Sequence, residues 1–256
     1  MTHPASLSGQ RRFRVGFDVG GTFTDFTLLA EHSGELSYFK VPSTPHDPSE
    51  AIQTGLAHLM REHGIAGDEL AHVGHGTTVA TNMVIERRGS RCALVTTRGF
   101  RDVLEIGRQT RPHLYDYNVI KPAPLAPREW RFEIGERMAA DGSVLQALDE
   151  DEVVSVARQL AAAQVESVAI CFMHSYRNDA HERRTREILA DYLPGVYLSV
   201  SSEILPEFRE YERMSTTALN AYVGPRMAAY MRNLVDSVQR MGCLLYTSPS
   251  PRDLST

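Results

Sequence analysis

The sequence predicts an α/β fold in which helices pack on a mixed β-sheet. Two features favour this class. Short apolar segments separated by turn residues open the chain, and strand-like and helix-like patterns then alternate through its second half. Hydrophobic residues make up 42% and charged residues 23% of the 256 residues, which is ordinary for a globular protein.

The opening segment predicts an antiparallel meander of three strands followed by a helix. Apolar residues alternate over residues 14–19, 23–29 and 36–41, and turn residues separate these strands. The glycine pair at 20–21 forms the turn between the first two strands. Residues 49–63 carry apolar side chains at helical spacing.

The next segment predicts two pairs of a strand and a helix before a long loop. Strands are expected over residues 72–75 and 91–97, and helices over 79–88 and 99–106. Prolines and scattered aromatic residues break both patterns over residues 110–128, so we expect a long ordered loop there.

The second half predicts further strands and helices in alternation. These elements are strands over 130–137, 144–148, 167–173 and 196–200 and helices over 149–163, 178–192 and 209–240. The last helix is expected to be interrupted near Gly224 and Pro225, because proline removes a backbone hydrogen bond.

These patterns divide the chain into four parts. A lobe covers residues 12–144, an α/β subdomain 145–205 and a helical segment 206–241. Residues 242–256 (GCLLYTSPSPRDLST) end the helical pattern abruptly and are rich in serine and proline. We interpret them as translated adapter or out-of-frame sequence; the alternative is a natural C-terminal extension.

Charge and cysteine content limit the classes of partner. The net charge is −5, so the totals indicate no basic face for nucleic acid. No apolar run approaches the roughly 20 residues needed to span a bilayer, and no membrane partner is expected. Cys92 and Cys171 lie in apolar segments typical of buried reduced thiols, which suits the cytoplasm.

The stretch DVGGTFTD, from Asp18 to Asp25, carries the clearest chemistry. Its order is a strand, an acid, two glycines, a hydroxyl and a second strand. The glycines allow a tight turn whose N–H groups can bind an anion, and the acid at the end of the first strand can hold a hydrated Mg²⁺. The stretch matches neither a Walker loop nor a dinucleotide fingerprint. By spacing alone, a plain β-hairpin remains the alternative.

Two further groups of residues are weaker candidates. Thr77, Thr78 and Asn82 lie where a strand runs into a helix, whose N-terminus suits a phosphate or a substrate carbonyl; the alternative is a simple cap. Arg108 and Arg111 could bind an anionic substrate group, or form exposed ion pairs with neighbouring acids.

Other polar residues favour structural roles. His75 is expected to be a satisfied structural histidine. His174, His181 and Glu182 lack the HExxH spacing of a zinc site. For the residues between Glu210 and Thr217 two roles stay open: salt bridges on the helix surface, or a contribution to the cleft.

Taken together, the motifs resemble the N-terminal region of the hydantoinase A/oxoprolinase family, within the actin-like ATPase superfamily. DVGGTFTD is similar to the first phosphate loop of that superfamily. The stretches that narrow the resemblance to the family are GTTVATN at 76–82, TTRGFRDVLEIGRQ at 96–109, AICFMHS at 169–175 and SSEILP at 201–206. The resemblance extends from about residue 14 to about residue 234.

The resemblance implies an actin-like (ribonuclease H-like) lobe with a mixed sheet and flanking helices, plus a small α/β subdomain. It implies ATP-dependent opening of a cyclic amide, such as hydantoin, N-methylhydantoin or 5-oxoproline, through substrate phosphorylation. The implied cofactors are ATP and Mg²⁺. A hydantoinase B-type subunit or domain is the implied partner, and a homo-oligomer is compatible with the family.

Motif and resemblance together assign roles to individual residues. Asp18, Asp25 and Thr78 are candidate catalytic residues, and Asp18 is also the candidate Mg²⁺ ligand. The candidate cofactor-binding residues are Gly20, Gly21, Thr22 and Thr24. The candidate substrate-binding residues are Thr77, Asn82, Arg108 and Arg111.

The chain departs from the family in length. Members carry a second half with a second glycine-rich loop and the adenosine pocket, and residues 206–241 look like the helical start of that half. We therefore expect the isolated chain to be inactive as an ATPase. Two alternatives stay open: an acetone carboxylase-type subunit that phosphorylates a ketone enol, and a non-catalytic nucleotide-binding or assembly module.

Overall fold

The structure, a computed structural model, describes residues 12–44, 47–110, 115–116, 118 and 120–240. The elements before residue 88 are β1 (Phe13–Val19), β2 (Phe23–Ala30), β3 (Leu36–Pro42), α1 (Pro48–His63), β4 (Leu70–Thr77) and α2 (Val79–Ile85). Those after it are β5 (Cys92–Thr97), α3 (Val103–Ile106), β6 (Arg131–Ile134), β7 (Arg137–Met138), β8 (Val144–Gln146), α4 (Glu150–Ala162), β9 (Ser167–Cys171), α5 (Ala180–Tyr192), β10 (Tyr197–Val200), α6 (Ser201–Ile204) and α7 (Glu210–Arg240).

The chain forms two compact units. The first contains the residues up to Arg87 and those from Met227 onward, and the second contains Arg88–Arg226. This division differs from the boundary predicted at residue 145. The physical reason is strand pairing, because β5 and β6, which precede residue 145, join one sheet with β9 and β10.

The first unit is built on a mixed four-stranded sheet of order β3-β2-β1-β4. β1 to β3 pair antiparallel, as the predicted meander requires, and β4 pairs parallel to β1. Along β1 the side chains of Val15, Phe17 and Val19 are buried and those between them are not, which is the period-two pattern of a strand with one face on a core.

Helix α1 packs against this sheet through its apolar stripe. The cap residue Asp47 accepts a hydrogen bond from the Ser49 amide at 3.0 Å, and Gly64 ends the helix with φ +59°. At Gly55 a β-carbon would lie only 2.2 Å from the ring of Phe26, so the helix can approach β2 this closely only with glycine there.

The second unit contains a wholly parallel sheet of order β10-β9-β5-β6. Every residue of β5 and β9 is buried, as expected of parallel strands covered on both faces. Cys92 and Cys171 lie in these strands as free thiols, and burial raises the pKa of Cys92 to about 12 and that of Cys171 to about 11. The expectation of buried reduced thiols at these two positions is confirmed.

The predicted interruption of the last helix is wrong. Helix α7 runs from Glu210 to Arg240 with Pro225 inside it. Proline cannot donate to the carbonyl four residues earlier, that of Ala221. The hydroxyl of Ser90 lies 3.0 Å from that carbonyl oxygen and 2.9 Å from that of Tyr222, so a donor from outside the helix replaces the lost one.

Two sequence-based expectations lie wholly or partly outside the described residues. The tail at 242–256 is one of them, and Arg111 and part of the 110–128 loop are the other. Within the described ranges, none of the helices combines the length and the apolar character required to cross a bilayer.

Candidate functional site

The turn between β1 and β2 exposes two backbone amides. The Gly20 amide donates to the Phe23 carbonyl at 3.1 Å and closes the turn. A β-carbon on Gly20 would lie 2.9 Å from that same carbonyl oxygen, so only glycine fits. Gly21 and Thr22 are exposed, and no described residue accepts a hydrogen bond from their N–H groups. Adjacent free amides of this kind attract an anion.

Two carboxylates flank this turn on the sheet face opposite the core. Asp18 and Asp25 are direct partners across the β1–β2 ladder, and both are exposed. Asp25 also lies 3.8 Å from the Lys40 ammonium group. Like charges placed opposite each other repel, so a bound cation would stabilise the pair. Among the residues that the structure describes, no three side chains cluster as metal ligands, so an Mg²⁺ here would keep water or phosphate ligands.

The Thr24 side chain lies on the buried face of β2 and not beside the exposed amides of the turn. Its side chain is 0% exposed, and its Oγ1 lies 3.0 Å from the Ser43 hydroxyl. The sequence assigned this threonine to the phosphate. Its burial makes it unavailable to a ligand, because it shares the inward face of β2 with Phe26 and Leu28.

The start of α2 lies beside the turn. The Thr78 hydroxyl donates to the Val19 carbonyl at 3.1 Å and accepts from the Asn82 amide at 3.2 Å. Thr78 makes no side-chain cap on α2, so its hydroxyl serves the turn instead. The Asn82 amide nitrogen lies 3.6 Å from where a β-carbon of Gly21 would be. The backbone of Thr77 pairs with Val19 at the end of the β1–β4 ladder.

His75 supports β4 from the core side. Its Nε2 lies 2.7 Å from the Tyr230 hydroxyl, and its ring packs against the Phe17 ring at a tilt of 32°, with 4.8 Å between the ring centroids. Burial lowers the pKa of His75, because the charged imidazolium loses solvation there. These contacts agree with a structural role, but the buried Nδ1 has no hydrogen-bond partner among the described residues, so the expected satisfied histidine is satisfied only at Nε2.

Arg108 belongs to the second unit and is engaged in an ion pair. Its Nε donates to Glu212 at 2.6 Å. The neighbouring Asp102 accepts hydrogen bonds from two guanidinium nitrogens of Arg128, Nε at 2.9 Å and Nη2 at 3.0 Å. This geometry fits the alternative given in the sequence analysis, in which Arg108 forms an exposed ion pair with a neighbouring acid.

The sequence profile of the hydantoinase/oxoprolinase N-terminal region matches residues 14–193, which is more than half of the chain. The chain belongs to the hydantoinase/oxoprolinase family. Membership confirms the resemblance drawn from the motifs, and it places the β1–β2 turn inside the region that defines the family's N-terminal part.

Relatives with named activities include a caprolactamase subunit and a 5-oxoprolinase. The caprolactamase subunit alpha of Pseudomonas jessenii is 39% identical over 241 residues, which is 91% of this chain and 34% of that one. The 5-oxoprolinase of Saccharomyces cerevisiae is 30% identical, and the match covers 86% of this chain and 20% of that one. This chain therefore spans 34% or less of the length of these relatives.

Solved structures confirm the predicted fold class. The crystal structure of the Pseudomonas jessenii ATP-dependent caprolactamase superposes with a TM-score of 0.82 at 39% identity. A nucleotide-free acetone carboxylase gives 0.81 at 27% identity. Each match covers 91% of this chain and 35% of the other, so the family fold extends over nearly all of this chain.

A second polar cluster in this family member is structural. Glu182 is fully buried and accepts hydrogen bonds from the Phe172 amide at 2.8 Å and the Ser202 amide at 2.9 Å. Burial raises its pKa. Arg213, also fully buried, donates to the Phe172 carbonyl at 2.7 Å. The amide and the carbonyl of Phe172 are thus each held by a buried polar side chain, which fits the structural interpretation of Glu182.

Ser43 is the one residue at the turn that sequence reasoning missed. It follows β3, and the β2–β3 register pairs Phe23 with Pro42, so the next position faces Thr22. The Ser43 amide donates to the Thr22 carbonyl at 2.9 Å. Strand pairing, which single-residue patterns do not contain, is the signal that would have found it.

Proposed function

We propose that this chain is the phosphate-binding N-terminal part of an ATP-dependent enzyme that opens a cyclic amide. The observation that carries the proposal is the β1–β2 turn, where the free amides of Gly21 and Thr22 lie next to the paired carboxylates of Asp18 and Asp25. Donors for phosphate and carboxylates for a hydrated cation are the two requirements of a nucleotide phosphate site. The lactam-opening relatives support the choice of substrate class.

The reaction would proceed by substrate activation. The amide oxygen of the ring attacks the γ-phosphorus of ATP, the bond from that phosphorus to the β,γ-bridging oxygen breaks, and ADP leaves. Water would then add to the phosphorylated ring carbon, and the ring C–N bond would break as the nitrogen takes a proton, which leaves an acyl phosphate. A second water would hydrolyse this acyl phosphate to the carboxylate and free phosphate. Catalysis of the first step needs mainly positioning and neutralisation of charge. The amides of Gly21 and Thr22 would hold the phosphate, and Mg²⁺ beside Asp18 would neutralise it.

Asp25 and Asn82 complete the proposed site. Asp25, exposed beside Asp18, is suited to orient metal-bound water or to accept a proton from the attacking water. Asn82 lies close enough to Gly21 to donate to a group bound on the turn. For Arg108 and Arg111 we retain the proposal that an anionic substrate group recruits them, which would require Arg108 to release Glu212.

The rest of the activity would reside outside this chain. Three named relatives are subunits, which supports a hydantoinase B-type partner. A cytoplasmic location is proposed because the thiols of Cys92 and Cys171 are free. We infer that the isolated chain binds phosphate without turnover. Ketone carboxylation is the second candidate, and the acetone carboxylase likeness favours it.

The deciding experiment starts from the gene. Its sequence would be extended past the codon for Gly242, and the complete protein, together with any adjacent partner subunit, would be assayed for ADP release. ADP release stimulated by a lactam, hydantoin or 5-oxoproline supports the proposal. Stimulation only by a ketone with bicarbonate supports the carboxylase instead. An Asp18→Asn variant with unchanged activity would refute the assigned site.

A further inference from the structure

A single residue, Ser43, contacts two carbonyl groups of the β1–β2 turn. Its amide donates to the Thr22 carbonyl at 2.9 Å, and its hydroxyl donates to the Gly20 carbonyl at 2.8 Å. Ser43 is itself partly buried, because it lies behind the turn at the end of β3. Along the backbone, the exposed amides of Gly21 and Thr22 both lie between these two carbonyls.

The hydroxyl groups behind the turn form a directed chain of hydrogen bonds. Thr24 Oγ1 lies 3.0 Å from Ser43 Oγ, and the distance alone allows either atom to donate. A serine hydroxyl carries one hydrogen, and a carbonyl can only accept. Because the Ser43 hydrogen goes to Gly20, Thr24 must donate to Ser43. The buried Thr24 therefore fixes the Ser43 hydroxyl in the orientation that Gly20 needs.

This chain of hydrogen bonds determines the direction of the Gly21 amide, one of the proposed phosphate donors. In a trans peptide the carbonyl of one residue and the N–H of the next lie on opposite sides. Holding the Gly20 carbonyl towards Ser43 therefore directs the Gly21 amide away from Ser43. The preceding peptide is held separately, since Thr78 donates to the Val19 carbonyl at 3.1 Å. Two adjacent glycines would otherwise leave this backbone with a wide choice of conformations.

We propose that Ser43 is a positioning residue for phosphate binding. Through the Gly20 carbonyl it orients the Gly21 amide, and through the Thr22 carbonyl it restricts the residue that carries the second amide, before the phosphate arrives. Less conformational entropy is then lost when the anion binds. The inference rests on the proposed function, because it concerns the same turn. It adds a residue that does not touch the ligand, with Thr24 as its buried support.

The test is a titration of the full 256-residue chain, labelled with ¹⁵N, with inorganic pyrophosphate. Ser43→Ala removes the hydroxyl, Ser43→Thr retains it, and Ser37→Ala is the matched control on β3. We expect Ser43→Ala to weaken binding about fivefold to tenfold, the loss of roughly one hydrogen bond's free energy. Ser43→Thr and Ser37→Ala should bind within about twofold of the unaltered chain.

A second readout separates orientation from general loss of stability. Without ligand, Ser43→Ala should shift the amide resonances of Gly21 and Thr22, whereas Ser37→Ala should leave both in place. If Ser43→Ala does not fold, Thr24→Val removes only the supporting hydroxyl, and a weakening of pyrophosphate binding above twofold is expected from it.

The outcomes test the role of Ser43 and the phosphate site separately. Equal affinity of Ser43→Ala and the unaltered chain would overturn the role of Ser43 while leaving the phosphate site intact. Failure of Ser43→Thr to restore affinity, or an equal loss in Ser37→Ala, would also overturn it. An unaltered chain in which pyrophosphate perturbs neither Gly21 nor Thr22 would instead remove the proposed phosphate site, and the inference with it.

Discussion

Asp18 and Asp25 face each other across the β1–β2 ladder, on the exposed side of the sheet and next to the glycine turn. A strand pair that places two carboxylates directly opposite each other is less stable than one with a neutral residue at one position. The partial contact of Asp25 with Lys40, at 3.8 Å, offsets only part of this repulsion. The arrangement is therefore one that gains stability from a bound cation.

Neutralising either carboxylate should stabilise the ligand-free protein. We expect Asp18→Asn or Asp25→Asn to raise the free energy of unfolding by about 0.5 kcal/mol, since one repulsive pair is removed. The same variants should lose any stabilisation that Mg²⁺ and ATP together confer on the unaltered chain. Urea unfolding with and without both ligands measures both effects. Asp68→Asn, which removes a charge elsewhere in the same unit, is the control, and a variant at 18 or 25 that behaves like it would contradict the prediction.

Enlarging Gly55 should destabilise the first unit. A methyl group there would lie 2.2 Å from the Phe26 ring, so α1 must move away from β2. Overpacking of this kind costs about 1–3 kcal/mol, which exceeds the gain of about 1 kcal/mol that alanine normally brings to a helix. Chemical denaturation of Gly55→Ala measures the cost. Gly16→Ala, with no neighbouring atom within 4 Å of the added carbon, should change stability far less.

Ser90 and Pro225 should be energetically coupled. Ser90→Ala removes the donor to the Ala221 carbonyl, and we expect a loss of about 1–2 kcal/mol because the carbonyl is then left without a partner. In a Pro225→Ala background the helix supplies its own N–H, so the same change at Ser90 should cost less. A double-mutant cycle from denaturation curves gives the coupling. Additive effects of the two substitutions would show that Ser90 does not replace the missing bond.

Stability should depend on the protonation of His75. Its folded-state pKa is lowered by burial from the ordinary value of 6.5, so the unfolded state binds more protons between the two values. The stability contributed by the neutral imidazole is therefore fully present above pH 6.5 and is lost as the pH falls towards the folded pKa. In His75→Gln this part of the pH dependence should vanish. Thermal unfolding of both proteins from pH 5 to 8 makes the comparison, and parallel curves would contradict it.

Much of the fold was predictable because it depends on local patterns. The alternation of β1 to β3 and the helical spacing of α4 and α5 appear in the sequence and in the structure. The burial of Thr24 could also be read from the alternating pattern, because Thr24 lies two and four residues before the apolar Phe26 and Leu28 on the same face of the strand. Its place in the glycine motif suggested a ligand contact instead.

What the sequence could not provide depends on partners distant along the chain. The continuity of α7 through Pro225 requires a hydroxyl more than a hundred residues earlier, at Ser90. The hydrogen bonds from Ser43 to the β1–β2 turn require the register between β2 and β3, which brings Ser43 opposite Thr22. Neither of these two contacts produces a periodic pattern in the sequence, so neither could be predicted from neighbouring residues.

The chain leaves the first unit at Arg87 and returns to it at Met227, and this order has a consequence for synthesis. The core beneath β1 and β4 includes Tyr230, Leu234 and Val238, which the ribosome produces last among the described residues. The second unit is one uninterrupted stretch and can become compact during translation. The β1–β2 turn, although encoded within the first 25 residues, acquires its full support only after some two hundred more have been added. If the turn has the proposed function, a nascent chain should be unable to bind nucleotide phosphate until α7 has emerged.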